Sequence, residues 1–128
     1  MRKTVGLEPI QIGFNEGDLP NELDLFEQIL RKAHDLVRGW GGTLYLVYLP
    51  ESDRYLSRFG DSSLRQGIYQ GVKATAQRLS IPMIDVATEF AKDEEPGRFY
   101  AYPGSHYNAV GYRVAARAII EALDRAPR

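Results

Sequence analysis

Cysteine is absent from the 128 residues. That excludes disulfide staples, thiolate nucleophiles and thiolate metal sites, and it leaves the compartment open. Only two histidines are present, His34 and His106. They lie far apart without H-x-x-x-H spacing, so no zinc site is expected. Basic residues are not in surplus: 16 Lys and Arg stand against 17 Asp and Glu, for a formal net charge of −1. With no basic cluster either, nucleic acid is not an expected partner. The longest apolar run, Leu44 to Leu49, falls far short of the roughly 20 residues that cross a bilayer. No signal-peptide pattern opens the chain.

What is present is the composition of an ordinary globular domain, 44% hydrophobic and 26% charged, in a length suited to one domain. Residues 1–20 read as a lead-in segment in which 8–14 alternate weakly, as a short strand would, before the turn-forming Asn15-Glu16-Gly17-Asp18. From Asn21 to about Arg38 the spacing predicts a helix with Leu23, Phe26, Ile29, Leu30, Ala33 and Val37 on one face. Asn21 is its expected start, and Gly39, Gly41 and Gly42 stop it. The run Thr43–Leu49, halted by Pro50, fits a strand covered on both faces, as in a parallel sheet. Residues 51–64 are polar and irregular. A helix over 64–79, a strand over 83–86 and a short helix over 88–92 follow.

The most informative stretch is Gly104-Ser105-His106-Tyr107-Asn108-Ala109-Val110-Gly111-Tyr112. Asn108 suits the cap of a final helix, because its side-chain oxygen can accept from the first orphan N–H groups. Gly111 leaves room for a close approach, and Val110, Val114, Ala118, Ile119, Ala122 and Leu123 form the expected buried stripe. A histidine directly before such a cap is held rigidly at a cleft edge, which suits a general base.

The order helix, strand, helix, strand, helix, together with the apolar strand ending in Pro50, Ile81-Pro82-Met83-Ile84-Asp85-Val86 and the His106-Tyr107-Asn108-x-x-Gly111-Tyr112 block, resembles the C-terminal half of an SGNH/GDSL-type serine hydrolase over residues 21–124. The resemblance implies an α/β fold: a partial three-layer αβα sandwich with a parallel, flavodoxin-like sheet whose N-terminal strands are missing. Residues 21–128 would be the C-terminal half of the domain. It also implies an ester hydrolase or acyl-transfer enzyme in which His106 is the catalytic histidine. An ester or acylated compound would be the substrate, and no metal or organic cofactor is implied. In the family the histidine activates a serine near the N-terminus of the domain, and Gly and Asn residues from two further blocks form the oxyanion hole; only His106 has a match here. The chain therefore reads as a fragment of a longer protein, inactive alone.

Two features depart from the family. Its aspartate, two or three residues before the histidine, is replaced by Gly104 and Pro103. Asp85, with Glu89 and Asp93 behind it, becomes the candidate orienting acid. The tetrapeptide Gly60-Asp61-Ser62-Ser63 imitates the family's nucleophile block but follows no apolar strand, so it reads as a turn and helix cap. Were the chain to act alone, Ser62 or Ser63 would be its nucleophile. Asp93-Glu94-Glu95 reads as a solvated loop, His34 as part of a solvated helix face, and Tyr100, Tyr102 and Tyr107 as packing around His106. The rival expectation is a degenerate, non-catalytic SGNH-like module retained for binding or self-association. Strand accounting leaves open edges with two or three strands, to be covered by the missing half, by a second copy in a homodimer, or by residues 8–14.

Overall fold

The computed structural model of the chain describes residues 16–58 and 62–127. The alternation at 8–14 and, with Phe59, the Gly60-Asp61 half of the tetrapeptide lie outside the described residues. A 3₁₀ turn at Glu16–Asp18 leads into helix α1 (Leu19–Gly39), followed by strand β1 (Leu46–Tyr48), the one-turn helix α2 (Asp53–Leu56), helix α3 (Ser63–Arg78) and strand β2 (Met83–Asp85). Then come the short helix α4 (Val86–Phe90), a 3₁₀ turn at Pro96–Phe99 and helix α5 (Ala109–Asp124). The architecture is α/β and mostly helical. β1 and β2 pair in parallel, with Leu46 opposite Met83, Val47 opposite Ile84 and Tyr48 opposite Asp85. Two strands are all that the described residues place in this sheet.

The predicted helices over 64–79 and at the C-terminus appear within a residue of their expected limits, because capping is local. Ser62 accepts from the Arg65 N–H at the head of α3, and the Asn108 side chain accepts from Val110 and Gly111 at the head of α5. Other expectations are corrected. α1 begins at Leu19 rather than Asn21, with Pro20 in its first turn, where proline's fixed φ suits the helix and its missing N–H costs nothing. The short helix predicted at 88–92 runs over Val86–Phe90, capped by Asp85. β1 is shorter than 43–49 and only half-buried, and Leu49 is 54% exposed. A strand with one neighbour has neither the pairing nor the cover of an interior strand.

The stripe on α5 holds at Ala118, which is buried, and at Val114, Ile119 and Ala122, which pack against the core. Gly111 and Ala115 complete the buried face, whereas Val110 and Leu123 are largely exposed. Small residues lie innermost because the helix approaches the backbone of the preceding turn closely. A Cβ on Gly111 would collide with the Phe99 carbonyl oxygen and crowd Tyr107. The core that α5 covers contains Ile84, Val86, Phe90, Phe99, Tyr100, Ala115 and Ala118. Phe90 is its hub, with Phe99 at 4.5 Å and Tyr107 at 5.1 Å between ring centroids. α1 packs on α3 and is tied to it by the Glu27–Arg78 ion pair, which holds the Glu27 carboxyl below its usual pKa range.

One junction joins this core to the end of β1. The Tyr100 hydroxyl donates to the Pro50 carbonyl at 2.6 Å and the Tyr107 hydroxyl donates to the same oxygen at 2.8 Å. Burial pushes both phenols above the ordinary tyrosine range, and it pushes Tyr55, which packs beside Tyr100, up to about 12. Tyr100 and Tyr107 thus stay neutral across the physiological range, as their donor role requires.

Two stability measurements follow from this packing. Gly111→Ala should cost about 1–3 kcal/mol in urea denaturation, since the added methyl meets backbone rather than a yielding side chain. Tyr100→Phe and Tyr107→Phe should each cost about 1 kcal/mol, because the remaining hydroxyl still satisfies Pro50. The double variant should lose more than the sum, as it leaves a buried carbonyl without a donor. Strict additivity would show that the two hydroxyls do not share the load.

Candidate functional site

His106 sits on a loop whose two ends are stitched together. Tyr100 and Tyr107 form an isolated antiparallel bridge, and the Asn108 N–H donates to the Phe99 carbonyl at 2.9 Å. The Asn108 side chain serves both directions: its oxygen caps α5, while its amide nitrogen donates to the Arg98 carbonyl at 2.7 Å and the Tyr100 carbonyl at 3.3 Å. Inside the loop, the Ser105 hydroxyl accepts from the Tyr102 N–H at 3.0 Å and donates to the Tyr102 carbonyl at 2.5 Å. Gly104 takes φ +79°, a left-handed turn that glycine adopts without strain. The Gly104 N–H then donates to Ser52 Oγ at 2.8 Å, fastening the loop to the residues just after β1.

These ties border a cleft of about 400 Å³, lined by Leu49, Pro50, Glu51, Ser52 and Asp53 from the segment after β1 and by Tyr100, Gly104, Ser105, His106, Tyr107 and Tyr112 from the histidine loop and α5. The His106 side is exposed and the Ser52 side chain is buried. The cleft opens beyond the carboxyl end of β1, where ligands gather in open α/β folds. An imidazole at such a rim can accept a proton from a hydroxyl brought into the cleft and return it to a leaving group. Tyr100 and Tyr107 bring neutral phenols to the cleft lining, and Glu51 and Asp53 bring two carboxylates.

Those carboxylates are braced. Glu51 Oε1 meets Arg65 Nε at 2.6 Å, and Asp53 Oδ2 lies 3.7 Å from the same guanidinium. The Tyr48 hydroxyl donates to the other Glu51 oxygen at the limit of 3.5 Å. Glu51, Ser52 and Asp53 were passed over in the sequence as polar, irregular loop. The available signal was Pro50, which ends an apolar parallel strand and so marks the next residues as the lip of the sheet.

The remaining sequence candidates are placed elsewhere. Asp85 ends β2, and its Oδ1 accepts from the Ala87 and Thr88 N–H groups while Oδ2 accepts from the Tyr69 hydroxyl at 2.5 Å. Glu89 pairs with Lys92, and Asp93 pairs with Arg98, whose guanidinium holds the Asp93 carboxyl below its usual range. None of these three acids lines the His106 cleft. Ser62 caps α3 and lines a separate cleft with Tyr48, Glu51, Leu64, Arg65 and Ile68, and Ser63 is the first residue of α3. Tyr100 and Tyr107 pack under the histidine loop as expected, whereas Tyr102 is 67% exposed. His34 is half-buried on α1. Among the described residues, no group of three or more His, Asp or Glu side chains is placed to hold a metal ion, and no helix is long and apolar enough to cross a membrane.

No protein-family model matches the chain. It is similar to the probable alginate O-acetylase AlgJ of Pseudomonas putida KT2440, with 25% identity over 101 residues, covering 76% of this chain and 26% of that protein. Among solved structures, it superposes on the O-acetyltransferase domain of Pseudomonas putida AlgJ with a TM-score of 0.74 and 21% identity, over 88% of this chain and 42% of that one. The chain thus spans about a quarter of the curated relative it matches and under half of the solved domain. At 21% identity the superposition shows a shared fold over the part of the domain that the chain spans.

Proposed function

We propose that this chain is the histidine-bearing part of an SGNH-type acyl-transfer enzyme acting on an ester of a carbohydrate hydroxyl. The observation that carries the proposal is the mounting of His106: an exposed imidazole on a loop locked by Asn108, Ser105 and Gly104, at the rim of a cleft beyond β1. The likeness to an alginate O-acetylase supports acetyl as the group moved and a saccharide hydroxyl as donor or acceptor. His106 would take the proton of a serine hydroxyl as its oxygen attacks the ester carbonyl. It would then deliver that proton to the departing alkoxide, leaving an acyl-serine that a second hydroxyl, or water, releases. Ester hydrolysis and acyl transfer differ only in that last acceptor.

The serine would come from sequence outside these 128 residues. The relative's greater length supports this, as does the position of Ser62, whose hydroxyl is engaged as a cap facing a different cleft. Further strands from the same source would complete a three-layer sandwich around the two-stranded sheet. In the protein as its host expresses it, His106→Ala should lower turnover of an acetylated sugar by about 10²–10⁴-fold with KM little changed. Unchanged kcat would remove His106 from the chemistry.

A second reading, a non-catalytic module that self-associates, is favoured by Pro103 and Gly104 where the family has its acid. It is also favoured by the apolar residues that α1 leaves exposed, Leu25, Ile29, Leu36 and Trp40. Glu22, Asp24 and Glu27 populate the first half of that helix, and Arg31, Lys32 and Arg38 outnumber Asp35 in the second. An antiparallel second copy would therefore set opposite charges face to face. Light scattering on the isolated chain should then report a dimer that Ile29→Glu converts to monomer. A monomeric parent chain would leave the exposed stripe to the rest of the enzyme.

A further inference from the structure

The charged side chains that line the cleft beside His106 are acids: Glu51 and Asp53 do so, and no Lys or Arg does among the described residues. Arg65 reaches the two carboxylates but lines the neighbouring cleft with Ser62 and Ile68. Arg54, which donates to the Tyr48 hydroxyl beside Glu51, lines other clefts again. The wall that a ligand would touch in the His106 cleft therefore offers carboxylates and no cation. A polymer of uronic acid, such as the alginate in the relative's name, would bring its own carboxylates against that wall. Recognition of carboxylate sugars calls for the opposite arrangement, an arginine or lysine fork pointing into the cleft.

What the cleft offers instead suits an uncharged sugar. Tyr112 is 56% exposed at the rim, and its ring stands edge-on to Tyr107 at 5.5 Å between centroids, a buttressed apolar plate on which a pyranose face can lie. Glu51 and Asp53, braced by Arg65, line the same cleft, and carboxylate oxygens can accept from sugar hydroxyls; the brace reduces the freedom lost on binding. The volume, about 400 Å³, falls in the range of small-ligand sites. We infer that the His106 cleft takes a neutral, hydroxyl-rich saccharide, stacked on Tyr112 and hydrogen-bonded to Glu51 and Asp53, and discriminates against uronate polymers. The inference rests on the acyl-transfer reading for the location of the site. It departs from the relative in the class of sugar.

The test is a titration of the full chain, followed by backbone amide NMR shifts, with a neutral cello-oligosaccharide and with an oligo-mannuronate of the same length. The neutral sugar should bind, with shifts centred on Ser52, Gly104, His106 and Tyr112, and on the order of tenfold more tightly than the uronate at low salt. Tyr112→Ala should weaken it roughly five- to tenfold, and Tyr112→Phe, which keeps the plate, should not. The ring is exposed, so folding survives either change; a thermal melt checks this. Glu51→Gln with Asp53→Asn should shrink the preference for the neutral sugar. Equal or tighter binding of the uronate, or no binding of the neutral sugar, overturns the inference. The outcome separates from that of the catalytic reading. Neutral-sugar binding without a kinetic effect of His106→Ala sinks only the latter, while His106-dependent turnover with uronate preference sinks only the present inference.

Discussion

The carbonyl of Pro50 is the joint on which the rest of this structure turns. Proline supplies no N–H and ends β1, so its carbonyl emerges at the lip of the sheet with no strand to receive it. Two phenol hydroxyls, from Tyr100 and Tyr107, converge on that one oxygen. Because these residues flank the histidine loop and are themselves bridged, fixing them fixes the loop. The same aromatic pair is packed against Phe90, so the site's geometry is inherited from the core rather than from the loop's own preferences. A polar anchor buried among rings is specific because each hydroxyl has one place to donate, and burial makes an unmet carbonyl expensive.

Much of this could be read along the chain, and what could was local. The Asn108 cap, the limits of α3 and α5 and the histidine loop ahead of α5 all depend on residues within one turn of each other. What escaped reading was long-range or sterically subtle. The bond from Gly104 N to Ser52 Oγ joins residues 52 apart, and nothing in periodicity announces it. The apolar stripe of α5 is legible at Val114, Ala118, Ile119 and Ala122 but not at its ends, where Val110 and Leu123 are exposed. The backbone of Phe99 comes so near Gly111 that the innermost positions, Gly111, Ala115 and Ala118, are small. β1 reads as an interior strand by composition, yet burial needs neighbours, and β2 is the one partner that the described residues give it.

The candidate site was half legible for a related reason. A histidine before a capped helix is a compact motif, but the wall facing it comes from another segment, and its residues carry no pattern of their own. Asp85 illustrates the opposite error. An acid at the end of a strand looked available to orient His106, yet a carboxylate there also stands at the head of the next helix. The cap of α4 and the Tyr69 hydroxyl engage both of its oxygens. Position at the right edge of a sheet is necessary for a role in a site. It is not sufficient where the local backbone has orphan donors to satisfy.

The missing acid before His106 and the acids across from it are linked by one electrostatic argument. In a triad the aspartate holds the imidazole in its useful tautomer and offsets the charge it acquires on taking a proton. Here the residues at that place are Pro103 and Gly104, and the glycine's N–H is committed to Ser52. The acids of the cleft are instead Glu51 and Asp53, from the segment after β1. Carboxylates that line a cleft act on whatever it holds, accepting from hydroxyls and repelling other carboxylates. The place where the resemblance expects an acid thus lacks one while two acids line the same cleft, and both facts follow from where two short loops place Glu51, Asp53 and His106.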